Sequence, residues 1–125
     1  MGRAAALALI VAGYTVVVTG RREGPLQETL VLATKKKANA AQLFLSVPAD
    51  ISNPKDVDML FSKIKNEYGR LDVLFNNAGV NLPSTIFGDL TYEQWKSTVD
   101  INLSGVFLCA RSAFNLMREQ SPQGG

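Results

Sequence analysis

Two arginines that follow a β-branched run are the side chains with the clearest chemical use. Arg21 and Arg22 come after the run at residues 14–19 and Gly20. A guanidinium is a planar fork of N–H donors that matches the oxygens of a phosphate group. The pair therefore indicates a phosphate-binding site. The alternative is two solvated arginines at the end of a strand.

Polar residues also follow two further apolar runs. Asp50 comes shortly after residues 43–47, and Asn76-Asn77-Ala78-Gly79 comes directly after residues 71–75. If these runs are parallel strands, the polar residues lie at the carboxyl edge of the sheet, where such folds bind ligands. Local alternatives remain open, because aspartate, asparagine and glycine are also common in plain turns.

A further candidate is an amide inside a predicted helix. Asn102 follows Trp95 by seven residues, so it falls on the apolar stripe of that helix. An amide at such a position needs a hydrogen-bond partner, and Asn102 is therefore a candidate functional residue. A structural amide that bonds to neighbouring backbone is the alternative.

Composition excludes several classes of site. The chain has no histidine and a single cysteine, Cys109, so we expect no metal site and no intrachain disulfide, and a reducing, cytoplasmic setting fits best. Cys109 is expected to pack inside a helix, since no histidine can activate it.

Nucleic acids and membranes are also unexpected partners. The net charge is only +2, and Lys35-Lys36-Lys37 has no interleaved aromatic residues, so it indicates a solvated helix end. Met1-Gly2-Arg3 with the following apolar run imitates a secretory signal, but Gly13 and Tyr14 interrupt that run. The apolar run is also shorter than the ~20 residues of a membrane span.

The pattern of apolar residues predicts alternating helices and strands along the chain. The expected strands lie at residues 14–19, 43–47 and 71–75. The expected helices are one at 3–12 that Gly13 ends, one from Pro25 to the lysines, and one at 54–68 that Ser52 or Asn53 caps. After a loop at 80–90, a long helix is expected to begin with the capping box of Thr91 and Gln94. Its apolar stripe is predicted through Trp95, Val99, Val106, Ala110, Phe114 and Met117. This alternation predicts one α/β domain over residues 1–125 with a doubly wound parallel sheet.

Four local patterns, in order and spacing, resemble the short-chain dehydrogenase/reductase family. Gly2-Arg3-Ala4-Ala5-Ala6 resembles the end of that family's Thr-Gly-x-x-x-Gly-x-Gly turn. Asp50, the segment from Asn76 to Gly79, and Asn102-Leu103-Ser104-Gly105 match its later patterns. The resemblance implies a Rossmann-like NAD(P)-binding fold and hydride transfer between a nicotinamide dinucleotide and a small carbonyl or alcohol substrate.

The resemblance also implies roles for these residues. Gly2 would be the last glycine of the pyrophosphate turn, Asp50 would help to hold the adenine, and Asn76, Asn77, Ala78 and Gly79 would line the cofactor side while also bracing the sheet. Asn102 would support a proton relay in catalysis. Where NAD-binding members place an acidic residue, this chain has Arg21 and Arg22, which predicts NADP rather than NAD.

Other parts of the family pattern are absent from these residues. The first strand and two of its glycines are missing, and so is the family's tyrosine and lysine pair. Tyr92 and Lys96 fit the Tyr-x-x-x-Lys spacing but precede Asn102, whereas the family's pair follows it, so we interpret this match as coincidental. We therefore expect a partial sheet that lacks its first strand and C-terminal half, with little catalysis or cofactor binding by these residues alone.

The missing first strand would lie between residues 14–19 and 71–75, and each would lose a neighbour. Because the backbone N–H and C=O groups of these strands would be unpaired, we expect the fold to be marginally stable or to aggregate. Two interpretations of the chain remain open. It is a fragment of an NADP-dependent oxidoreductase that assembles as a homo-oligomer, or a non-catalytic protein that docks on a full-length relative through the helix from Tyr92 to Arg118.

Overall fold

The structure is a computed structural model, and it describes residues 1–82 and 84–125. Contacts divide the chain into two compact units, Met1–Asp50 and Ile51–Gly125. The α/β architecture that the sequence predicts is confirmed, with a two-stranded parallel sheet flanked by helices. That residues 1–125 form one domain stays a prediction, as does the placement of residues 14–19 and 71–75 beside an absent strand.

The first unit contains two helix–strand pairs. Its elements are α1 (Gly2–Val11), β1 (Val16–Gly20), α2 (Glu23–Lys36) and β2 (Phe44–Pro48), with a 3₁₀ turn at Ala40–Leu43. Strands β1 and β2 are parallel, in a register that runs from Val16 opposite Phe44 to Gly20 opposite Pro48. All four elements fall within one or two residues of the predicted helices and strands.

Helix α1 ends where glycine permits a left-handed backbone. Gly13 has φ +98°. Its N–H donates to the carbonyl of Ile10 at 3.0 Å, and the N–H of Tyr14 donates to that of Leu9 at 3.0 Å. This pair of bonds is a Schellman motif, which satisfies the last carbonyls of the helix and turns the chain into β1.

An apolar cluster and one arginine join the helices and strands of this unit. The buried members of the apolar cluster are Ala6, Ile10, Val16, Ala33 and Ala40. Near the start of α1, the guanidinium of Arg3 donates to Thr29 Oγ1 at 3.1 Å, to the carbonyl of Pro25 at 3.1 Å and to Glu28 at 2.9 Å. These bonds hold the first turn of α1 against α2.

The second unit begins with the amphipathic helix α3 (Pro54–Tyr68). The Asn53 side chain accepts a hydrogen bond from the N–H of Lys55 at 3.0 Å, and Gly69 ends the helix at φ +69°. Its buried face consists of Val57, Leu60, Phe61 and Ile64. The predicted helix, its cap and its stop are therefore confirmed, although Tyr68 at the end of the predicted stripe is 38% exposed.

The predicted buried strand at 71–75 is wrong. The described residues form a sheet of two strands only, and residues 71–80 have no regular secondary structure. Val73 and Phe75 are 51% and 58% exposed. A strand needs a neighbour that pairs with its backbone N–H and C=O groups. Here Leu71 pairs instead with the Gln120 side chain, and Val80 pairs with the Asn102 side chain.

The long C-terminal helix contains an irregular turn. It consists of α4 (Tyr92–Val99), a π-helical turn at Asp100–Gly105 and α5 (Val106–Glu119). The predicted capping box is confirmed: the Thr91 side chain accepts from the N–H of Gln94, and the Gln94 side chain accepts from the N–H of Thr91. No helix among the described residues is both long and apolar enough to cross a membrane.

The apolar stripe of this helix is one residue away from its predicted position. The buried residues are Ile101, Gly105, Cys109, Ala113, Leu116 and Gln120. Trp95 and Phe114 of the predicted stripe are more than half exposed. A shift of one residue is a rotation of about 100°. Apolar side chains occur on more than one face of this helix, so periodicity alone does not determine which face packs against α3.

Cys109 and Gly105 lie on the buried face. Burial raises the pKa of the Cys109 thiol, which fits a packing role rather than a reactive one. A Cβ built on Gly105 would lie 2.9 Å from the Ile51 side chain and 3.0 Å from its carbonyl oxygen. Only glycine at position 105 therefore lets the helix approach the backbone of Ile51 this closely.

We expect Gly105→Ala to lower the free energy of unfolding by about 1–3 kcal/mol, because the new methyl group meets a backbone atom that cannot rotate away. Chemical denaturation followed by circular dichroism measures the change. Gly24→Ala is the matched control. Nothing lies within 4 Å of its new Cβ, so helix propensity should leave stability unchanged or raise it. Equal effects of the two substitutions would contradict the packing role of Gly105.

Candidate functional site

The first unit places three predicted site residues at the carboxyl edge of its sheet. Arg21 follows the last residue of β1, and Arg22 is the N-cap residue of α2. Asp50 lies two residues beyond the end of β2. Gly20 and Pro48 are paired in the sheet, and the N–H of Ala49 donates to the carbonyl of Gly20 at 3.2 Å. The two arginines and Asp50 thus leave neighbouring strands at the same edge.

The two arginines are available to an anionic ligand. Both side chains are exposed, and in residues 1–82 and 84–125 no ion pair involves either of them. Asp50 is half-buried. A guanidinium that is not committed to a carboxylate of the protein keeps its full fork of donors. This edge can therefore bind a phosphate ester.

Gly2 is the first residue of α1, as expected for the last glycine of a phosphate-binding turn. The N-cap residue Met1 makes no side-chain capping bond, and the first turn contains no acidic residue. The N–H groups at a helix start carry partial positive charge and bind anions. The start of α1 thus has the polarity that a pyrophosphate requires.

In the second unit, Asn102 forms a paired set of hydrogen bonds with the backbone of Val80. The N–H of Val80 donates to Asn102 Oδ1 at 2.8 Å, and Asn102 Nδ2 donates to the Val80 carbonyl oxygen at 2.8 Å. Asn102 itself is exposed rather than buried, which differs from the expectation based on the apolar stripe. The amide of Asn102 bonds to a backbone peptide group, as expected if Asn102 has a structural role.

Gly79 lies directly against this amide pair. A Cβ built on Gly79 would lie 3.3 Å from Asn102 Oδ1, and no residue from 76 to 79 has a positive φ. A side chain at position 79 would therefore disturb the close approach of the Gly79 backbone to Asn102, although it would not strain the backbone angles. Asn76, Asn77 and Ala78 are exposed beside it.

The π-helical turn at Asp100–Gly105 contains Asn102. Turns of this type occur frequently at functional sites, since the wider turn alters the direction of its side chains. The two bonds to Val80 use one donor and one acceptor position of an amide that has two of each. Asn102 can thus hold the backbone of Val80 and still bond to a water or a ligand.

Gln120 is a further residue of this region, and the sequence pattern does not predict its contact. It lies at the end of α5 and is nearly buried, and its side chain pairs with the backbone of Leu71. A glutamine in the last turn of a polar helix end gives no signal by composition or spacing. Its partner is 49 residues away in sequence, so only the folded chain reveals the contact.

Tyr92 and Lys96 have surroundings that differ from those of a catalytic pair. Tyr92 is 70% exposed, and the ammonium of Lys96 forms an ion pair with Asp100. The hydrogen bond and charge of Asp100 raise the pKa of Lys96. Lys96 is therefore held in its charged form by a neighbour on its own helix.

Comparisons with known proteins agree on one family. A family model described as short chain dehydrogenase matches residues 1–125. The chain is 36% identical over 125 residues to a 3beta-hydroxysteroid dehydrogenase of Mediterraneibacter gnavus, covering all of this chain and 43% of that protein. It is 33% identical over 120 residues to a 3-oxoacyl-[acyl-carrier-protein] reductase of Synechocystis sp., covering 96% of this chain and 47% of the relative.

Solved structures show the same likeness. The crystal structure of levodione reductase superposes with a TM-score of 0.91 at 28% identity, over 98% of this chain and 46% of that chain. A short-chain type dehydrogenase/reductase from Mycobacterium marinum gives 0.88 at 28% identity, over 98% of this chain and 46% of the other. The chain thus spans about half the length of the proteins that it matches.

We expect Asn102→Ala to release the backbone of Val80 and to lower stability by about 1 kcal/mol, since two hydrogen bonds are lost at an exposed site. Hydrogen exchange of the Val80 amide measures the release. Asn115→Ala is the matched control, because Asn115 is exposed on the same helix. Unchanged protection of Val80 in Asn102→Ala would show that the amide pair does not hold this segment.

Proposed function

The chain belongs to the short-chain dehydrogenase family, and on this premise we propose that it supplies part of the nucleotide-binding half of an NADP(H)-dependent oxidoreductase. The reaction is hydride transfer between the nicotinamide and a carbonyl or alcohol carbon of a small substrate. The preference for NADP over NAD is the part of this proposal that the residues of the chain itself support most directly.

The exposed pair Arg21 and Arg22 at the carboxyl end of β1 carries the proposal. NAD-binding members of such folds have an acidic residue near this position, which accepts hydrogen bonds from the ribose hydroxyls. An acidic side chain would repel a 2′-phosphate, whereas a guanidinium donates two parallel hydrogen bonds to it. Arg21 is therefore proposed to bind the 2′-phosphate, with Arg22 in support.

The remaining site residues fit other parts of the same dinucleotide. The start of α1 at Gly2 has the polarity for the pyrophosphate, and Asp50 offers an acceptor for the exocyclic amine of adenine. The segment from Asn76 to Gly79 has no side chain at position 79, so its backbone can approach a flat ring closely. When bound, the nicotinamide would supply or accept the hydride.

Asn102 is proposed to act on the proton rather than on the hydride. Its amide holds the backbone of Val80 and keeps one donor and one acceptor position for a bound water. A water fixed in this way can pass a proton between bulk solvent and a catalytic acid. Asn102 would then be a catalytic residue of the relay, and its amide orientation would be set by Val80.

We propose that residues 1–125 alone do not catalyse the reaction. No Tyr-x-x-x-Lys sequence follows Asn102, so the chain offers no acid of the expected type after the relay asparagine. The residues needed for turnover would have to come from elsewhere. A cytoplasmic location and homo-oligomeric assembly of the active enzyme are part of the same proposal.

Docking on a full-length relative is the second candidate function. One face of α5 and the preceding turn carries Leu103, Phe107 and Phe114, which are 67%, 59% and 63% exposed. Residues spaced by four and seven positions lie on one side of a helix and can anchor it in an apolar groove. Co-sedimentation of the chain with a full-length short-chain dehydrogenase, abolished by Phe107→Ser with Phe114→Ser, would favour this candidate.

We expect Arg21→Asp to reduce the preference of the chain for NADP over NAD by about 10- to 100-fold, because a charge-assisted hydrogen bond is replaced by like-charge repulsion. Competition with 2′,5′-ADP and 5′-AMP in ligand-detected NMR measures the ratio even where binding is weak. Lys36→Asp makes the same change of charge at an exposed helix end of the same unit. A ratio that Arg21→Asp leaves unchanged would exclude a 2′-phosphate contact by Arg21.

A further inference from the structure

Gln120 forms hydrogen bonds with the backbone of Leu71, which belongs to no strand in the part of the chain that the structure describes. The N–H of Leu71 donates to Gln120 Oε1 at 2.8 Å, and Gln120 Nε2 donates to the Leu71 carbonyl oxygen at 2.9 Å. The side-chain amide thus occupies the place that a peptide group of a neighbouring strand would take. Gln120 is only 9% exposed, so water does not readily replace it.

The same arrangement recurs at Asn102 and Val80, which makes two amide pairs between one helix and one segment. Eighteen residues separate Asn102 from Gln120, a rise of about 27 Å along a helix. Nine residues separate Leu71 from Val80, about 30 Å in extended chain. The two lengths agree, so residues 71–80 run antiparallel to the helix and are attached to it at both ends.

We propose that Gln120 is a positioning residue for the segment that ends at Gly79. With Leu71 held, the nearly extended chain has little freedom in length, and Gly79 and Val80 reach Asn102 in one register only. Loss of the Leu71 contact would let the segment slide or bow, and the Asn102 pair would open more often. This inference rests on the proposed function, in which residues 76–79 contact the dinucleotide.

A purely local role for Gln120 predicts a different result. Gln120 also donates to the carbonyl of Gly124, and its own N–H donates to that of Leu116, so it caps the end of α5. Loss of capping alone would affect the last turn and residues 120–125. It would leave Val80 unchanged, since Val80 lies at the other end of the segment.

The experiment compares Gln120→Met with Gln123→Met in the 125-residue chain. Methionine keeps the length of the side chain but cannot form either hydrogen bond. Gln123 is the matched control, because it is exposed and its side chain donates to the carbonyl of Arg118. We expect Gln120→Met to accelerate hydrogen exchange of the Val80 amide about tenfold and to weaken NADP binding, while Gln123→Met changes neither.

Gln120→Glu tests the same contact without a change of shape, and it serves if the methionine variant unfolds. A protonated carboxyl both donates and accepts, as the amide does, whereas a carboxylate cannot donate to the Leu71 carbonyl. The amide chemical shift of Val80 should therefore follow the titration of the introduced carboxyl, with native-like values at low pH. A Val80 shift that ignores this titration would overturn the proposal.

Failure of this inference can be separated from failure of the proposed function. Faster exchange at Val80 with unchanged NADP affinity would support the positioning role and count against a cofactor contact by residues 76–79. Unchanged exchange at Val80 in Gln120→Met, with faster exchange at Leu71, would overturn the positioning role even if NADP binds.

Discussion

Extended backbone must find partners for its N–H and C=O groups, and the two units meet this requirement in different ways. In the first unit, β1 and β2 pair with each other in a parallel ladder. In the second, residues 71–80 pair with no strand among the described residues, and two side-chain amides of the long helix take the role of neighbours. Each such hydrogen bond contributes about 0.5–1.5 kcal/mol, so the two amide pairs stabilise both ends of the segment.

Within each unit, the positions of the residues proposed to bind the cofactor follow from the same requirement. Parallel pairing puts the ends of β1 and β2 at one edge, where Arg21 and Asp50 emerge. The Asn102 amide brings the backbone of Val80 against the π-helical turn, and Gly79 leaves space for that approach. Groups that stabilise the backbone thus also arrange the residues proposed to contact the dinucleotide. A change in one of them is expected to affect both stability and binding.

Membership of the short-chain dehydrogenase family connects these local features to a reaction. The relatives that the chain matches are about twice its length, and their names include reductases and dehydrogenases of chemically different substrates. The matched half is the one that carries Arg21 and Asn102. The cofactor is therefore the part of the proposed reaction on which the residues of this chain bear most directly.

The sequence by itself determined the elements whose signals are local. The cap at Asn53, the stop at Gly69, the Thr91–Gln94 box and the β-branched run of β1 depend on neighbouring residues, and these predictions are confirmed. Tertiary structure decided the features that need a distant partner. Residues 71–75 have the pattern of a strand but pair with no strand that the structure describes. The long helix buries a face one residue from the predicted one, and Gln120 pairs with a residue 49 positions away. Propensity and periodicity describe what a segment can form, whereas hydrogen-bond partners and packing faces depend on which surfaces meet in the folded chain.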